Sequence, residues 1–203
     1  MKKSLLILPL VLLASALALV ACGGSSSSSS GGGEETAIEE AIETSATSTE
    51  PSKCTEVQTE AFNEAETGAS GEEALKACEE ETESEEAEPA ESVTVSNISV
   101  NGESATAEVG IEGSPLSGQS VEIGLAKEEG DWKLNEFLGF TNYDAAGIAS
   151  FLEGKLNEEE GVEASLVKCI TEGVEGMSQE DAEAMVFEKN QKPFEEVAES
   201  CNE

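Results

Sequence analysis

The chain is expected to adopt an α+β fold. N-terminal helices cover one face of a four-stranded antiparallel sheet, and a small C-terminal α-helical unit follows. Three observations predict this. Apolar residues recur at helical spacing from Ala37 to Cys78, alternate at period two from Val93 to Leu134, and return to helical spacing after Asp144.

Ala37, Ile38, Ala41 and Ile42 share one face of a helix over 34–48, with glutamates on the other face. The stretch Thr47 to Ser52 interrupts it. A second helix is predicted from Thr55 to Glu66, with Val57 and Phe62 inward. A third runs from Gly71 to Glu81, with Ala74, Leu75 and Cys78 inward. Glu79 to Glu91 is acidic and nearly free of large apolar residues, so it reads as a solvated linker. It has no EF-hand-like spacing for a calcium ion.

The period then changes. Val93, Val95, Ile98 and Val100 lead into Asn101-Gly102, a tight-turn dipeptide. Ala105, Ala107, Val109 and Ile111 alternate with polar residues, as do Val121, Ile123 and Leu125. After Glu129-Gly130-Asp131, Trp132, Leu134 and Phe137 begin a fourth run. This is the pattern of an antiparallel meander with one apolar and one acidic face, and the apolar face needs a cover of helices.

In the C-terminal unit, Asp144 is placed to cap a helix carrying Ile148, Phe151, Leu152 and Leu156, which Gly161 ends. Val162, Leu166, Val167, Ile170 and Val174 mark the next helix. Ser178 and Asp181 form a capping pair before Ala182, Met185 and Val186. Pro193 opens a last helix with Phe194, Val197 and Cys201.

Composition narrows the chemistry. The net charge is −34, with no histidine and no arginine. Such a surface repels phosphate backbones, so nucleic acid is excluded as a partner. The acidity reads as a device for solubility, with adaptation to high salt as the alternative. Without histidine there is no Ser-His-Asp or Cys-His machinery, and the commonest zinc ligand is missing. No Gly-rich phosphate loop is present. No cofactor or metal is expected, and the chain reads as a non-enzyme.

Leu19-Val20-Ala21-Cys22 closes an apolar stretch, Leu5 to Val20, that follows Lys2 and Lys3. This resembles the lipobox signal of bacterial lipoproteins. The resemblance implies removal of residues 1–21 and lipidation at Cys22. It places the protein at the cell membrane, lipid-anchored on the extracytoplasmic side. The stretch is short for a membrane span, which needs ~20 residues. Residues 22–33 then form a lipidated cysteine and Gly/Ser tether. Setting Cys22 aside leaves Cys54, Cys78, Cys169 and Cys201, an even number in an oxidising compartment. Of three possible connectivities, sequence proximity favours Cys54–Cys78 and Cys169–Cys201.

Helices followed by a curved antiparallel sheet are similar to the NTF2-like (SnoaL-like) cone, in the form found in small lipoprotein domains of the DUF4878 type. The likeness spans about 34–138 and rests on three stretches. These are Ala37-Ile38-Glu39-Glu40-Ala41 with Cys54, then Val93 to Ile98 with Gly102 to Ala107, and finally Leu125 to Leu134, where Trp132 seals sheet on helices. Residues 142–203 form the second, disulfide-stapled unit. The resemblance implies a conical pocket. Enzymes of that fold place a histidine, aspartate or tyrosine inside it, whereas the inward positions here are apolar. The leading expectation is a non-catalytic binding or interaction module for a small apolar ligand or an envelope protein. The alternatives are a carboxylate-based enzyme using Glu122 or Glu136, and a structural spacer.

Overall fold

The structure, a computed structural model, describes residues 31–84, 87–159 and 161–201. The signal segment 1–21, Cys22 and the tether up to residue 30 lie outside the described residues. Eight α-helices and one sheet are formed among those described. The first four helices are α1 (Gly31–Thr47), α2 (Lys53–Glu56), α3 (Glu60–Thr67) and α4 (Glu72–Glu83). The strands β1 (Ser92–Asn101), β2 (Ser104–Glu112), β3 (Ser120–Glu128) and β4 (Asp131–Asn142) follow. The chain ends with α5 (Ala145–Glu158), α6 (Ala164–Glu175), α7 (Gln179–Phe187) and α8 (Lys192–Ser200). None of these helices is long and apolar enough to cross a membrane.

The sheet is the expected antiparallel meander, in the order β1-β2-β3-β4. Its hairpins are tight: Asn101 pairs with Ser104 across Gly102 and Glu103, and Glu128 with Asp131 across Glu129 and Gly130. Glu129 and Gly130 both have positive φ (55° and 107°), which matches the right-handed strand twist across a two-residue loop. On β2 and β3 the alternation is regular, and Ala105, Ala107, Val109, Val121, Ile123 and Leu125 all point into the core.

The fourth strand departs from that rhythm. Its inward residues are Trp132, Leu134, Phe137 and Phe140, a spacing of two, three and three. Each irregular step is a bulge, where β4 gains a residue relative to β3: between Gly124 and Leu125, Glu122 and Ile123, and Ser120 and Val121. The extra residues bend the strand while keeping its apolar side chains on one face. A similar step in β1 lies between Ser96 and Ser99, at Asn97 (φ 52°), and brings Ile98 back to the core after Val93 and Val95. The sheet is therefore curved, with its apolar face on the helices.

Helices α1, α3 and α7 supply the cover. Ile38, Ala41 and Ile42 of α1, Phe62 of α3 and Ala182 of α7 join the sheet residues in one buried cluster. Phe187 stacks on Phe137 at 5.0 Å, while Phe62 packs tilted on Phe137 at 4.7 Å and Phe187 on Phe140 at 4.9 Å between ring centroids. The C-terminal stretch thus contributes one helix to the core of the sheet. The rest of it, α5, α6 and α8, has a small cluster of its own around Ala149, Ile170 and Val174.

Four local expectations change. The predicted helix from Thr55 to Glu66 is split in two, because the chain leaves the helix at Val57 and Gln58 bridges to Leu134 of β4. Thr59 N donates to Leu134 O, and Leu134 N to Val57 O, each at 2.9 Å. Thr59 then caps α3 by accepting from Phe62 N. The acidic linker is shorter and less solvated than its composition predicts. Helix α4 runs on to Glu83, and Ala90 is buried with its N–H bonded to Ala46 O. Helix α1 starts at Gly31, taking in the last glycines of the predicted tether, since each residue added to a formed helix gains a hydrogen bond. Asp144 makes no side-chain cap; Gln119, buried, bonds its backbone N and O instead (2.8 and 2.9 Å).

Candidate functional site

The curvature of the sheet leaves a cavity of about 700 Å³ between its apolar face and the helices. Ile111 and Phe137 present the accessible apolar floor, backed by the buried Val109, Ile123 and Leu134 of the core. Ile42, Phe62 and Val186 extend it up the helical walls. The segment Ala87–Ala90 and the loop Ser114–Leu116 border the opening. The volume lies inside the ~300–1,000 Å³ range of sites that take small organic molecules.

One wall is polar, and the split helix builds it. The backbone pairing with Leu134 fixes Gln58, which is 2 % exposed. Gln58 Nε2 donates to Ser45 Oγ at 2.8 Å and to Glu66 Oε2 at 3.2 Å. Lys53 Nζ donates to Ser45 O at 3.1 Å. Burial pushes the Glu66 carboxyl above its ordinary pKa; Glu81 adds to the rise, while Lys53, Lys189 and the Gln58 bond oppose it. Burial pulls the Lys53 ammonium down, and the charge of Glu66 partly restores it. Lys53, Glu66, Glu81 and Lys189 all line the cavity.

A disulfide holds this wall together. Cys54 of α2 is bonded to Cys78 of α4, with Cα atoms 6.1 Å apart, and Asn63 Nδ2 of α3 donates to Cys54 O at 2.8 Å. The second bridge joins Cys169 of α6 to Cys201, just beyond α8, with Cα atoms 5.7 Å apart. Both pairs are those favoured by sequence proximity.

The other sequence candidates fall elsewhere. Glu122 and Glu136 are absent from the cavity lining. Glu122 opposes Glu108 and Gly139 in the sheet, and the exposed Glu136 lies over Gly124, where a Cβ would meet its Cγ at 2.8 Å. Trp132 is a buried core residue, with Lys127 Nζ 5.2 Å from its ring centroid.

The polar wall itself escapes a reading of apolar periodicity. One signal for it exists: Glu66 follows Phe62 by four residues and shares its helix face. Comparison with known protein families, curated proteins and solved structures finds no match to this chain.

Proposed function

We propose that the protein is a lipid-anchored envelope protein whose sheet and covering helices form an NTF2-like cone, serving as a non-catalytic module that binds a small apolar ligand. The observation that carries this reading is the 700 Å³ cavity, in which the half-buried Ile111 and Phe137 of the sheet and Val186 of α7 present apolar surface. The bulges that curve β4 support the cone, since a flat sheet would leave no such space. The lipobox ending at Cys22 supports the address, and the two bridges fit an oxidising compartment.

Native mass spectrometry of the full chain purified from membranes tests the binding. The expected result is a co-purifying apolar molecule, lost when Val186→Trp fills the space beside the half-buried lining. A protein partner recovered in stoichiometric amount, with an empty cavity, would replace the small ligand with an envelope protein. Cys22→Ala is expected to move the chain from the membrane fraction to the soluble one; retention in the membrane counts against the anchor.

One observation favours a second reading, a carboxylate-based enzyme. The group concerned is Glu66 rather than Glu122 or Glu136, because a half-buried carboxyl of raised pKa lining a cavity is a general-acid candidate. Slow conversion of the co-purified molecule, abolished by Glu66→Gln, would establish it.

A further inference from the structure

The lysines distinguish the cavity from the rest of the molecule. The described residues include eight of them. Six sit in ion pairs: Lys76 with Glu80, Lys127 with Glu34, Lys133 with Glu128, Lys155 with Glu88, Lys168 with Glu172 and Lys192 with Glu196. Lys53 and Lys189 have no carboxylate within 4.0 Å among the described residues, and both line the cavity. In a chain with 44 acidic residues, an unpaired lysine is the exception, and here both exceptions face one space.

Their position relative to the floor matters as much as their charge. Lys53 enters from α2, held by its bond to Ser45 O, and Lys189 from the turn after α7. Apolar residues of the sheet line the same cavity. We infer that the cavity selects an amphiphile with a carboxylate head and an acyl chain, the head bound by Lys53 and Lys189 and the chain laid along the half-buried Ile111, Phe137 and Val186. This deepens the binding reading above and rests on it.

Glu66 is the internal competitor for the same two lysines. The groups facing it are Lys53 from α2, Lys189 from the turn after α7, Glu81 from α4 and the Gln58 amide. A carboxylate entering beside Glu66 adds a second negative charge. The pair then favours taking up one proton, as two carboxyls sharing a site do. Ligand uptake is therefore coupled to protonation and weakens as pH rises.

The test compares three probes of equal chain length by calorimetric titration of the full-length protein: decanoate, decanol and decyltrimethylammonium. Decanoate is expected to bind about tenfold or more tighter than decanol, the return of one net charge-assisted hydrogen bond. The cationic probe is expected to bind weakest. The double variant Lys53→Met/Lys189→Met is expected to erase the preference for decanoate while decanol binding persists. Lys76→Met, which removes a paired lysine of α4, is expected to change nothing. Glu66→Gln is expected to tighten decanoate and remove its proton uptake. Equal binding of decanoate and decanol, or a preference for the cation, overturns the inference and leaves the binding reading standing. Failure of all three probes to bind overturns both. Should the double variant not fold, the ranking of the probes on the unaltered protein decides.

Discussion

The two disulfides close loops of similar size, 24 and 32 residues, in parts of the molecule that differ sharply in what else holds them. Cys54–Cys78 sits beside the sheet, whose core buries fourteen residues including Phe62, Trp132 and Phe140. Cys169–Cys201 sits in the α5, α6 and α8 group, where four residues are buried: Ala149, Val167, Ile170 and Val174. Chain-entropy reasoning assigns each bridge about 3 kcal/mol. The same contribution is a supplement in the first region and a principal support in the second. The α6–α8 contact shows how tightly the second region is drawn: a Cβ on Gly173 would meet Val197 Cγ1.

The largest effect is expected from attacking the better-packed region directly. Phe62→Ala removes a side chain 1 % exposed that touches Phe137, and is expected to cost about 3–5 kcal/mol in a denaturant titration. A loss below 1 kcal/mol would mean that the cavity already lets this wall relax.

Next, the double variant Cys169→Ala/Cys201→Ala is expected to cost about 3 kcal/mol locally. Hydrogen exchange in α6 and α8 should speed up while β2 and β3 keep their protection. Equal loss of protection in the sheet would show that the two regions unfold as one.

A smaller effect concerns pH. The folded chain holds the Glu66 proton more tightly than the unfolded chain, because burial raises the pKa from about 4.5. That contribution is complete below the unfolded value and is lost as pH rises through the folded one. Glu66→Gln should therefore flatten the fall in Tm across the pH range just above 4.5, relative to the parent protein. Parallel curves would place Glu66 in solvent.

The smallest effect is at α7, which bridges the regions. Ser178 Oγ accepts from Asp181 N, and Ser178→Ala is expected to cost about 1 kcal/mol in thermal unfolding.

The regular parts of the fold were the legible ones. Strict alternation on β2 and β3 and the turn chemistry at Gly102 and Gly130 are local signals, and they specify the meander. The curvature of β4 is not local. A spacing of Trp132, Leu134, Phe137 and Phe140 fits neither period, and pairing with β3 resolves it into bulges. The break at Val57–Thr59 has the same origin, since bonds to Leu134, far along the chain, override a helical pattern. Capping by Ser178 was readable because both partners lie within four residues; the role of Gln119 at Asp144 was not. The polar wall was illegible for a further reason. A glutamate on an amphipathic helix is ordinarily solvated, so the shared face of Phe62 and Glu66 is a weak signal that the folded geometry alone makes decisive.

The bulges have one more consequence. A straight edge strand offers unpaired backbone groups on which another chain can build, the first step toward aggregation. Here β1 is kinked at Asn97, whose side chain bonds Glu108 (2.7 Å), and β4 is bent at three places and partly covered by Val57–Thr59. Neither border of the sheet is a flat template, so copies of this chain crowded side by side are poorly matched for joining strand to strand.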